Sequence, residues 1–302
     1  MMGTLRLRGI IPPMLTPFTR EGDVDLGALR EEARVLLEAG ALGLVVGGST
    51  GEGYTLTPEE LHRACRAVVD EVRDRAPVIG GVIANCTRQA VTLGRAAREA
   101  GVAALQVTPP HYLFPPDEAG LVEYFGRIGS EVERPVVIYN VIPWAAISLA
   151  TLLRLEAIPQ VAGVKQSGGD IHKLADLIRA ARGRMTVLTA VDDLLYPALA
   201  LGADGVVAAI VTLLPRASAD LYEAVRRGDH AAALRLHESL LPVWRAVEGP
   251  NLPAAIKFAA TLLGRRPGWP RSPLTSPGGE AAERIREAMR AFGGAERAPS
   301  AV

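Results

Sequence analysis

The residue of this chain that is best suited to covalent chemistry is a lysine at the end of a short apolar segment. Lys165 is one of three lysines, beside thirty arginines, and it follows the apolar residues Val161 to Val164 just before a loop of small residues. Burial at a strand end would favour the neutral amine, which attacks carbonyl carbons. The alternative is a lysine whose aliphatic stem lies on the strand while its ammonium group reaches water.

Two other segments end in groups that suit the same chemistry. Tyr139 ends an apolar segment with a phenol that can transfer protons. Gly47 to Gly53 combines glycines with the hydroxyls of Ser49 and Thr50, and such a loop can turn several amides toward one small anion. No Gly-Lys-Ser or Gly-Lys-Thr follows, so it is not a nucleotide phosphate loop. A structural tyrosine at the rim and a plain tight turn are the alternatives.

An amine, a proton shuttle and a carboxylate cradle form a coherent set. A Schiff-base enzyme that acts on a 2-oxo acid needs all three, because the amine condenses with the ketone, the phenol moves protons and the cradle fixes the carboxylate. The protonated imine then serves as an electron sink.

The elements that must position these groups are short apolar segments alternating with longer helical patterns. Segments that are apolar throughout are typical of a parallel sheet covered by helices. Eight of them predict a (β/α)8 TIM barrel, and a doubly wound open sheet is the alternative. The predicted strands are Gly9 to Thr16, Ala41 to Gly47, Pro77 to Ala84, Ala103 to Thr108, Pro135 to Asn140, Val161 to Gln166, Met185 to Ala190 and Asp204 to Ala209. The predicted helices include Asp25 to Glu38, Pro58 to Arg73, Thr87 to Glu99, Asp117 to Val132 and Asp170 to Arg182.

The C-terminal part of the chain shows only helical periodicity. Breaks occur near Gly228, at Gly249 and Pro250, and through Gly264 to Gly279. We therefore predict a catalytic barrel domain over residues 1–229 and a helical extension over residues 230–302. The last residues, from Gly293 to Val302, are predicted to form a frayed tail.

Composition restricts the partners and the compartment. The chain has 302 residues, 49% of them hydrophobic, with 33 basic and 33 acidic residues, so no net charge attracts nucleic acid or anionic lipid. Cys65 and Cys86 form neither a disulfide framework nor a zinc pattern, which suits a reducing compartment. Met1 to Arg8 lacks the apolar core of a signal peptide, and no segment is long enough to span a membrane. A cytoplasmic protein with a small-molecule substrate is expected.

The sequence as a whole resembles a known family. It is similar to the dihydrodipicolinate synthase and N-acetylneuraminate lyase family of class I pyruvate-dependent aldolases, from about Arg8 to about Ala291. The order and spacing of several short motifs carry the resemblance. They are Thr16-Pro17-Phe18, Gly48-Ser49-Thr50-Gly51-Glu52, Thr108-Pro109-Pro110-His111-Tyr112, Tyr139-Asn140-Val141, Gly163-Val164-Lys165 and Gly205-Val206-Val207.

The resemblance implies a role for each candidate residue. Lys165 would be the Schiff-base lysine and Tyr139 the proton-relay tyrosine, while Tyr112 would match a tyrosine lent across a subunit interface. The predicted catalytic residues are thus Lys165, Tyr139, Ser49 and Tyr112. The predicted substrate-binding residues are Gly48, Ser49, Thr50, Trp144 and Val207. A homotetramer built as a dimer of dimers is implied, with no metal and no dissolved cofactor because the lysine supplies the electrophile.

Departures from the family pattern leave the second substrate open. Synthases proper carry an arginine a few residues after the catalytic tyrosine, which grips the carboxylate of aspartate semialdehyde. Here Val141 to Ile147 has no charge, and Trp144 stands about where that arginine would be. Gln166 stands where family members commonly have an acidic residue, and Val191 stands where many of them have a glycine. Alternatively, Trp144 is a packing residue on a shifted loop.

Other polar residues receive structural interpretations. His111 lies near the predicted site, but a loop histidine bonded to backbone is an equal alternative. Asp192 and Asp193 are expected to open and cap a helix. Cys86 has no base near it in sequence. Four histidines are expected on the surface or at interfaces: His62, His172, His230 and His237.

The sequence thus predicts a lyase that forms an imine between Lys165 and pyruvate, or a pyruvate-yielding 2-oxo acid, and makes or breaks a carbon-carbon bond with an aldehyde. One alternative is dihydrodipicolinate synthase itself. From another class, the alternative is a non-catalytic regulator that binds a 2-oxo acid. The feedback site for lysine found in many synthases is not expected, because the aligned positions hold Pro58, Leu61, Gln89 and His111.

Overall fold

Eight parallel strands form a ring in the computed structural model, which describes Leu5 and residues 7–296. The strands are β1 (Gly9–Ile10), β2 (Leu44–Val46), β3 (Val78–Val82), β4 (Ala104–Val107), β5 (Val136–Asn140), β6 (Val161–Gln166), β7 (Thr186–Thr189) and β8 (Gly205–Val206). The hydrogen-bonded order runs from β1 through β8 back to β2. A parallel bridge from Pro13 to Val45, with Met14 N–H donating to Val45 O at 2.8 Å, joins the chain after β1 to β2. The ring is therefore closed, and the predicted TIM barrel is confirmed.

All eight strands lie within the predicted apolar segments, but the first is much shorter than its segment. It ends at Ile10 because Pro12 and Pro13 have no backbone N–H to donate to a neighbouring strand. The open-sheet alternative is wrong, since an open sheet would leave β1 and β2 unpaired at opposite edges.

The helices follow the strands around the outside of the ring. They are α1 (Leu26–Glu38), α2 (Pro58–Val72), α3 (Thr87–Glu99), α4 (Glu118–Val132), α5 (Leu149–Leu155), α6 (Ile171–Ala181), α7 (Leu195–Ala200), α8 (Ala209–Leu213), α9 (Pro215–Arg226), α10 (His230–Val247), α11 (Leu252–Leu262) and α12 (Gly279–Glu296). Side-chain caps explain several starts. Thr57 and Glu60 form a reciprocal capping box at α2, and Asp25 accepts from Ala28 N–H at 2.9 Å at α1.

Two packed layers surround the strands. The larger lies between the sheet and the helices, while a smaller cluster fills the interior of the ring as a floor. That floor consists of Leu7, Ile11, Val45, Ile79, Ala104, Val137, Leu188 and Val207. Because side chains alternate along a strand, residues two positions beyond a floor residue also point inward. Gln106 and Tyr139 therefore lie above this floor, toward the carboxyl ends of the strands.

The C-terminal helices pack more extensively than the sequence suggested. The predicted frayed tail is wrong for residues 293–296, because α12 continues to Glu296. Ala282, Ile285, Met289 and Phe292 recur on one face of α12 and are all buried. The rest of the predicted tail lies outside the described residues. The domain division after residue 229 stays a prediction. Within the described range, no helix combines the length and apolarity needed to cross a membrane.

Glycine is required where β3 passes the loop after β2. A Cβ at Gly81 would lie 2.2 Å from Gly47 O, which is a backbone atom that cannot rotate away. We expect Gly81→Ala to lower the free energy of unfolding by roughly 1–3 kcal/mol through overpacking. Gly126→Ala is the matched control, because Gly126 lies inside α4 with open space at its Cβ position and alanine favours helix by about 1 kcal/mol. Urea unfolding compares the two variants, and equal stability would contradict the packing argument.

Candidate active site

Lys165 and Tyr139 meet inside the barrel. Strands β5 and β6 pair with Tyr139 opposite Lys165, so both side chains point to the same face of the sheet. Lys165 is 3% exposed and Tyr139 is 6% exposed. The Nζ atom of Lys165 lies 3.7 Å from the centroid of the Tyr139 ring. An amine and a phenol therefore share one buried space above the apolar floor.

The ends of these two strands are fixed by a side-chain amide network. Asn140 Nδ2 donates to Gln166 Oε1 at 2.9 Å and to Ile147 O at 3.1 Å, and Asn140 Oδ1 accepts from Ile147 N–H. Gln166 thus bonds to the neighbouring strand. The network holds the residues that follow Tyr139 and Lys165 in register.

The glycine-rich loop after β2 is a tight turn with unused donors. Gly47 has φ +75°, and Gly51 and Gly53 donate their N–H groups to Gly48 O at 3.1 and 3.0 Å. In the described part of the chain, neither the backbone N–H groups nor the hydroxyls of Ser49 and Thr50 bond to another residue. These groups can donate to a small anion such as a carboxylate. We call Gly48 to Glu52 the cradle loop.

Gln106 is a site residue that the sequence interpretation missed. It is 2% exposed and points inward from β4, and among the residues that the structure describes its Nε2 has no hydrogen-bond partner. A Cβ on Gly48 would lie 3.9 Å from this nitrogen, so the amide lies beside the cradle loop. A buried amide without a partner is costly, which points to a bound molecule or water. The signal in the sequence was a single amide within an otherwise apolar strand.

Asp192 is a second residue whose place near Lys165 the sequence interpretation did not predict. It begins a short 3-10 turn before α7, but its Oδ1 accepts from Ile210 N–H in α8 at 2.6 Å instead of capping its own helix, which corrects the expectation. Burial raises the pKa of Asp192 to about 7, while the hydrogen bond from Ile210 and the charge of Lys165 act in the opposite direction. Its neighbour Asp193 pairs with Arg245 at 2.7 Å.

Three further residues from the sequence analysis lie at the edge of the site: Tyr112, Trp144 and His111. Tyr112 is 70% exposed, so within one chain its phenol is not part of the buried group around Lys165. Trp144 is 64% exposed, and its Nε1 donates to His111 O at 2.8 Å, which links the loops after β4 and β5. His111 Nδ1 lies 3.0 Å from Pro109 O, a backbone contact. Val207 belongs to the barrel floor.

One histidine differs from expectation. His237 was expected on the surface or at an interface, but it is 7% exposed and its ring packs 6.4 Å from the Tyr196 ring, so the surface prediction is wrong for it. Burial lowers its pKa. Helical periodicity alone did not show that α10 turns this position toward α7.

A closed parallel barrel with a buried lysine and tyrosine at the carboxyl ends of adjacent strands defines a class of α/β barrel proteins with a potential amine nucleophile. Comparison of the sequence with known protein families identifies the family within this class. The sequence profile described as the Dihydrodipicolinate synthetase family matches residues 6–292. The chain belongs to this family, and the predicted membership is confirmed.

Individual relatives match over nearly their whole length. A 4-hydroxy-tetrahydrodipicolinate synthase of Methanopyrus kandleri is 35% identical over 292 residues, which cover 95% of this chain and 97% of the relative. The crystal structure of dihydrodipicolinate synthase from Aquifex aeolicus has a TM-score of 0.90 at 30% identity, covering 95% of this chain and 98% of the other. A prophage protein of the dihydrodipicolinic acid synthase family from E. coli K12, in complex with pyruvate, has a TM-score of 0.90 at 29% identity, with coverages of 96% and 99%.

The raised pKa of Asp192 predicts a pH-dependent stability. An unfolded aspartate has a pKa near 3.8 and the folded one about 7, so the folded state binds the extra proton between these values and stability falls as the pH rises through them. Between about pH 5 and pH 8, we expect the wild type to lose on the order of 2 kcal/mol more free energy of unfolding than Asp192→Asn. Urea unfolding at both pH values measures the difference. Parallel losses in the two proteins would show that Asp192 stays ionised.

Proposed function

We propose that this protein is a lyase that forms an imine between Lys165 and pyruvate or a pyruvate-yielding 2-oxo acid. The observation that carries the proposal is the buried contact between Lys165 Nζ and the Tyr139 ring above the barrel floor. Membership in a family of class I aldolases and lyases supports it. A protein that only binds a 2-oxo acid has no need for an amine and a phenol together, which disfavours the non-catalytic alternative.

The geometry suits a sequence of proton transfers around one covalent intermediate. Lys165 Nζ attacks C2 of the 2-oxo acid, and loss of water leaves a protonated imine. The imine withdraws electrons from C3, which loses a proton to give an enamine, and the enamine carbon attacks the carbonyl carbon of an aldehyde. Hydrolysis of the new imine frees Lys165 and releases the product. The reverse sequence cleaves a larger 2-oxo acid to pyruvate.

Three groups have separate roles in this scheme. Tyr139 passes protons to and from the reacting atoms through its phenol. The hydroxyls and free N–H groups of Ser49 and Thr50 hold the carboxylate, with Gly48 allowing close approach. Val207 bounds the small end of the substrate as part of the apolar floor. Burial limits protonation of the enamine by bulk water before the enamine attacks the aldehyde.

The aldehyde partner is the less determined half of the reaction. Relatives named 4-hydroxy-tetrahydrodipicolinate synthase favour that activity as the second candidate. Against it, Val141 to Ile147 carries no charge, and Trp144 contributes an indole where synthases have a guanidinium. We propose an aldehyde or 2-oxo acid that presents no carboxylate to Trp144.

The exposed surface beside the site supports a proposal about assembly. We propose a homotetramer, a dimer of dimers, in which Tyr112 completes the proton relay of a neighbouring subunit. Tyr112, Leu113, Phe114 and Trp144 form an exposed apolar group on the loops after β4 and β5, which suits burial against another copy. A cytoplasmic location, and a reaction without metal or dissolved cofactor, stay predictions.

Trapping with borohydride tests the imine. Pyruvate plus sodium borohydride should add one reduced pyruvyl group to the wild-type chain, and mass spectrometry of peptides should place it on Lys165. Lys165→Ala should remain unlabelled, while Lys173, whose side chain is 81% exposed, and buried Lys257 should carry no label in either protein. Tyr139→Phe should keep the label but lower kcat by roughly a hundredfold. Folded wild-type protein that carries no label on Lys165 after this treatment would contradict the imine mechanism.

Substrate assays distinguish the two candidate functions. With pyruvate as donor, we expect little or no turnover of aspartate semialdehyde, and no inhibition by millimolar lysine. A panel of uncharged aldehydes and longer 2-oxo acids, followed by pyruvate consumption or release, should contain a better substrate. The Trp144→Arg variant provides the matched comparison, because a guanidinium can pair with a carboxylate there. Efficient turnover of aspartate semialdehyde that lysine suppresses would establish the synthase alternative.

A further inference from the structure

Glu52 ends the cradle loop in an unusual conformation. It has φ 55° and ψ 30°, the left-handed region that is unfavourable for a residue with a side chain. Its side chain is fully buried, and Glu52 N–H donates to Ser49 O at 3.0 Å. The conformation of Glu52 therefore fixes the turn that contains Ser49 and Thr50.

Both carboxylate oxygens of Glu52 are held by the C-terminal part of the chain. Lys257 Nζ in α11 donates to Oε1 at 2.6 Å, and Arg271 N–H donates to Oε2 at 2.8 Å. Lys257 is 2% exposed, and its Nζ also donates to Trp269 O at 2.7 Å. The buried ion pair thus joins two segments that are 205 residues apart.

The same cations also touch the loop after β1. Lys257 Nζ lies 4.5 Å from the centroid of the Phe18 ring, and the Arg271 guanidinium lies 4.2 Å from it. Trp269 N–H donates to Phe18 O at 2.9 Å. Within that loop, Thr16 Oγ1 donates to Gly51 O at 2.6 Å in the cradle loop. The cradle loop is therefore held from two sides by one connected group of contacts.

A buried ion pair is a poor way to gain stability. Removing two charges from water is costly, and apolar residues of similar size often stabilise a fold as well or better. Burial also lowers the pKa of Lys257, with the charge of Glu52 opposing that effect. A paired charge of this kind is better suited to select one arrangement of the groups that it joins.

We propose that Lys257 and Glu52 are positioning residues that hold the cradle loop in the conformation that receives the substrate carboxylate. The inference rests on the proposed role of Ser49 and Thr50, and it makes the C-terminal extension part of the substrate site. Neither Lys257 nor Glu52 touches the reacting atoms. Loss of the pair should thus weaken binding of the 2-oxo acid more than it slows the bound complex.

The chain contains a matched control. Arg265 and Glu32 form another buried ion pair, in which Arg265 Nε donates to Glu32 Oε2 at 3.1 Å, and Arg265 also donates to Thr212 O at 2.8 Å. This pair joins α1 to the same C-terminal segment but bonds to no residue of the cradle loop. Glu32→Gln therefore removes an equally buried charge partner without disturbing the cradle loop.

The test compares Glu52→Gln, Lys257→Met and Glu32→Gln in the full chain. Thermal unfolding measures the stability of each variant. Steady-state assays of pyruvate consumption or release use the best aldehyde or 2-oxo acid from the panel. They give kcat and the KM for pyruvate or for the 2-oxo acid. Glu52→Gln and Lys257→Met should raise that KM tenfold or more with kcat within about threefold of wild type, and Lys257→Arg should restore part of the loss. Borohydride trapping at saturating pyruvate should still label Lys165. Glu32→Gln should lose comparable thermal stability with KM within twofold of wild type.

A double variant covers the case in which the single variants do not fold. Glu52→Gln with Lys257→Gln leaves no unpaired buried charge, so it should fold and show the same rise in KM. Wild-type KM in a folded double variant would overturn the proposal, as would equal KM values for Glu52→Gln and Glu32→Gln. Failure of the proposed function is distinguishable, because wild type itself would then show no trapped adduct.

Discussion

The site depends on the pairing of β5 with β6 inside a closed barrel. Backbone hydrogen bonds fix this register, and the alternation of side chains then turns both Tyr139 and Lys165 inward. Closure of the ring through Pro13 and Val45 keeps water from the floor beneath them. A one-residue register shift of β6 would turn Lys165 toward the outer helices while Tyr139 stayed inside, so their meeting depends on the strand pairing itself.

The second constraint is the cradle loop, which no strand pairing fixes. Glycines at positions 47, 51 and 53 let the chain turn tightly, and a Cβ at Gly53 would lie 1.7 Å from Gly47 O. Such a loop would be free to take other conformations without outside contacts. Thr16 from one side and the Lys257 to Glu52 pair from the other supply them. The barrel thus positions the proposed nucleophile Lys165, while the C-terminal helices hold the loop that we propose as the anion site.

Much of this architecture could be predicted from the sequence because the relevant signals are local. Apolar segments located the strands, and the predicted helix starts at Asp25 and Pro58 agree with α1 and α2 to within about a residue. Lys165 and Tyr139 stood out because each ends an apolar segment. The partners of Glu52 could not be predicted in the same way, since they come from distant parts of the chain. Tyr112 is a further case, because its proposed role needs a second copy.

We propose that Lys165 binds a 2-oxo acid covalently while the cradle loop holds its carboxylate. A crystal structure of the protein soaked with pyruvate tests both parts at once. We expect continuous electron density from Lys165 Nζ to C2 of pyruvate, with the carboxylate oxygens within hydrogen-bond distance of Ser49 and Thr50 and the Tyr139 phenol beside the new bond. Pyruvate that lies unlinked in the barrel, or whose carboxylate points away from the cradle loop, would contradict it.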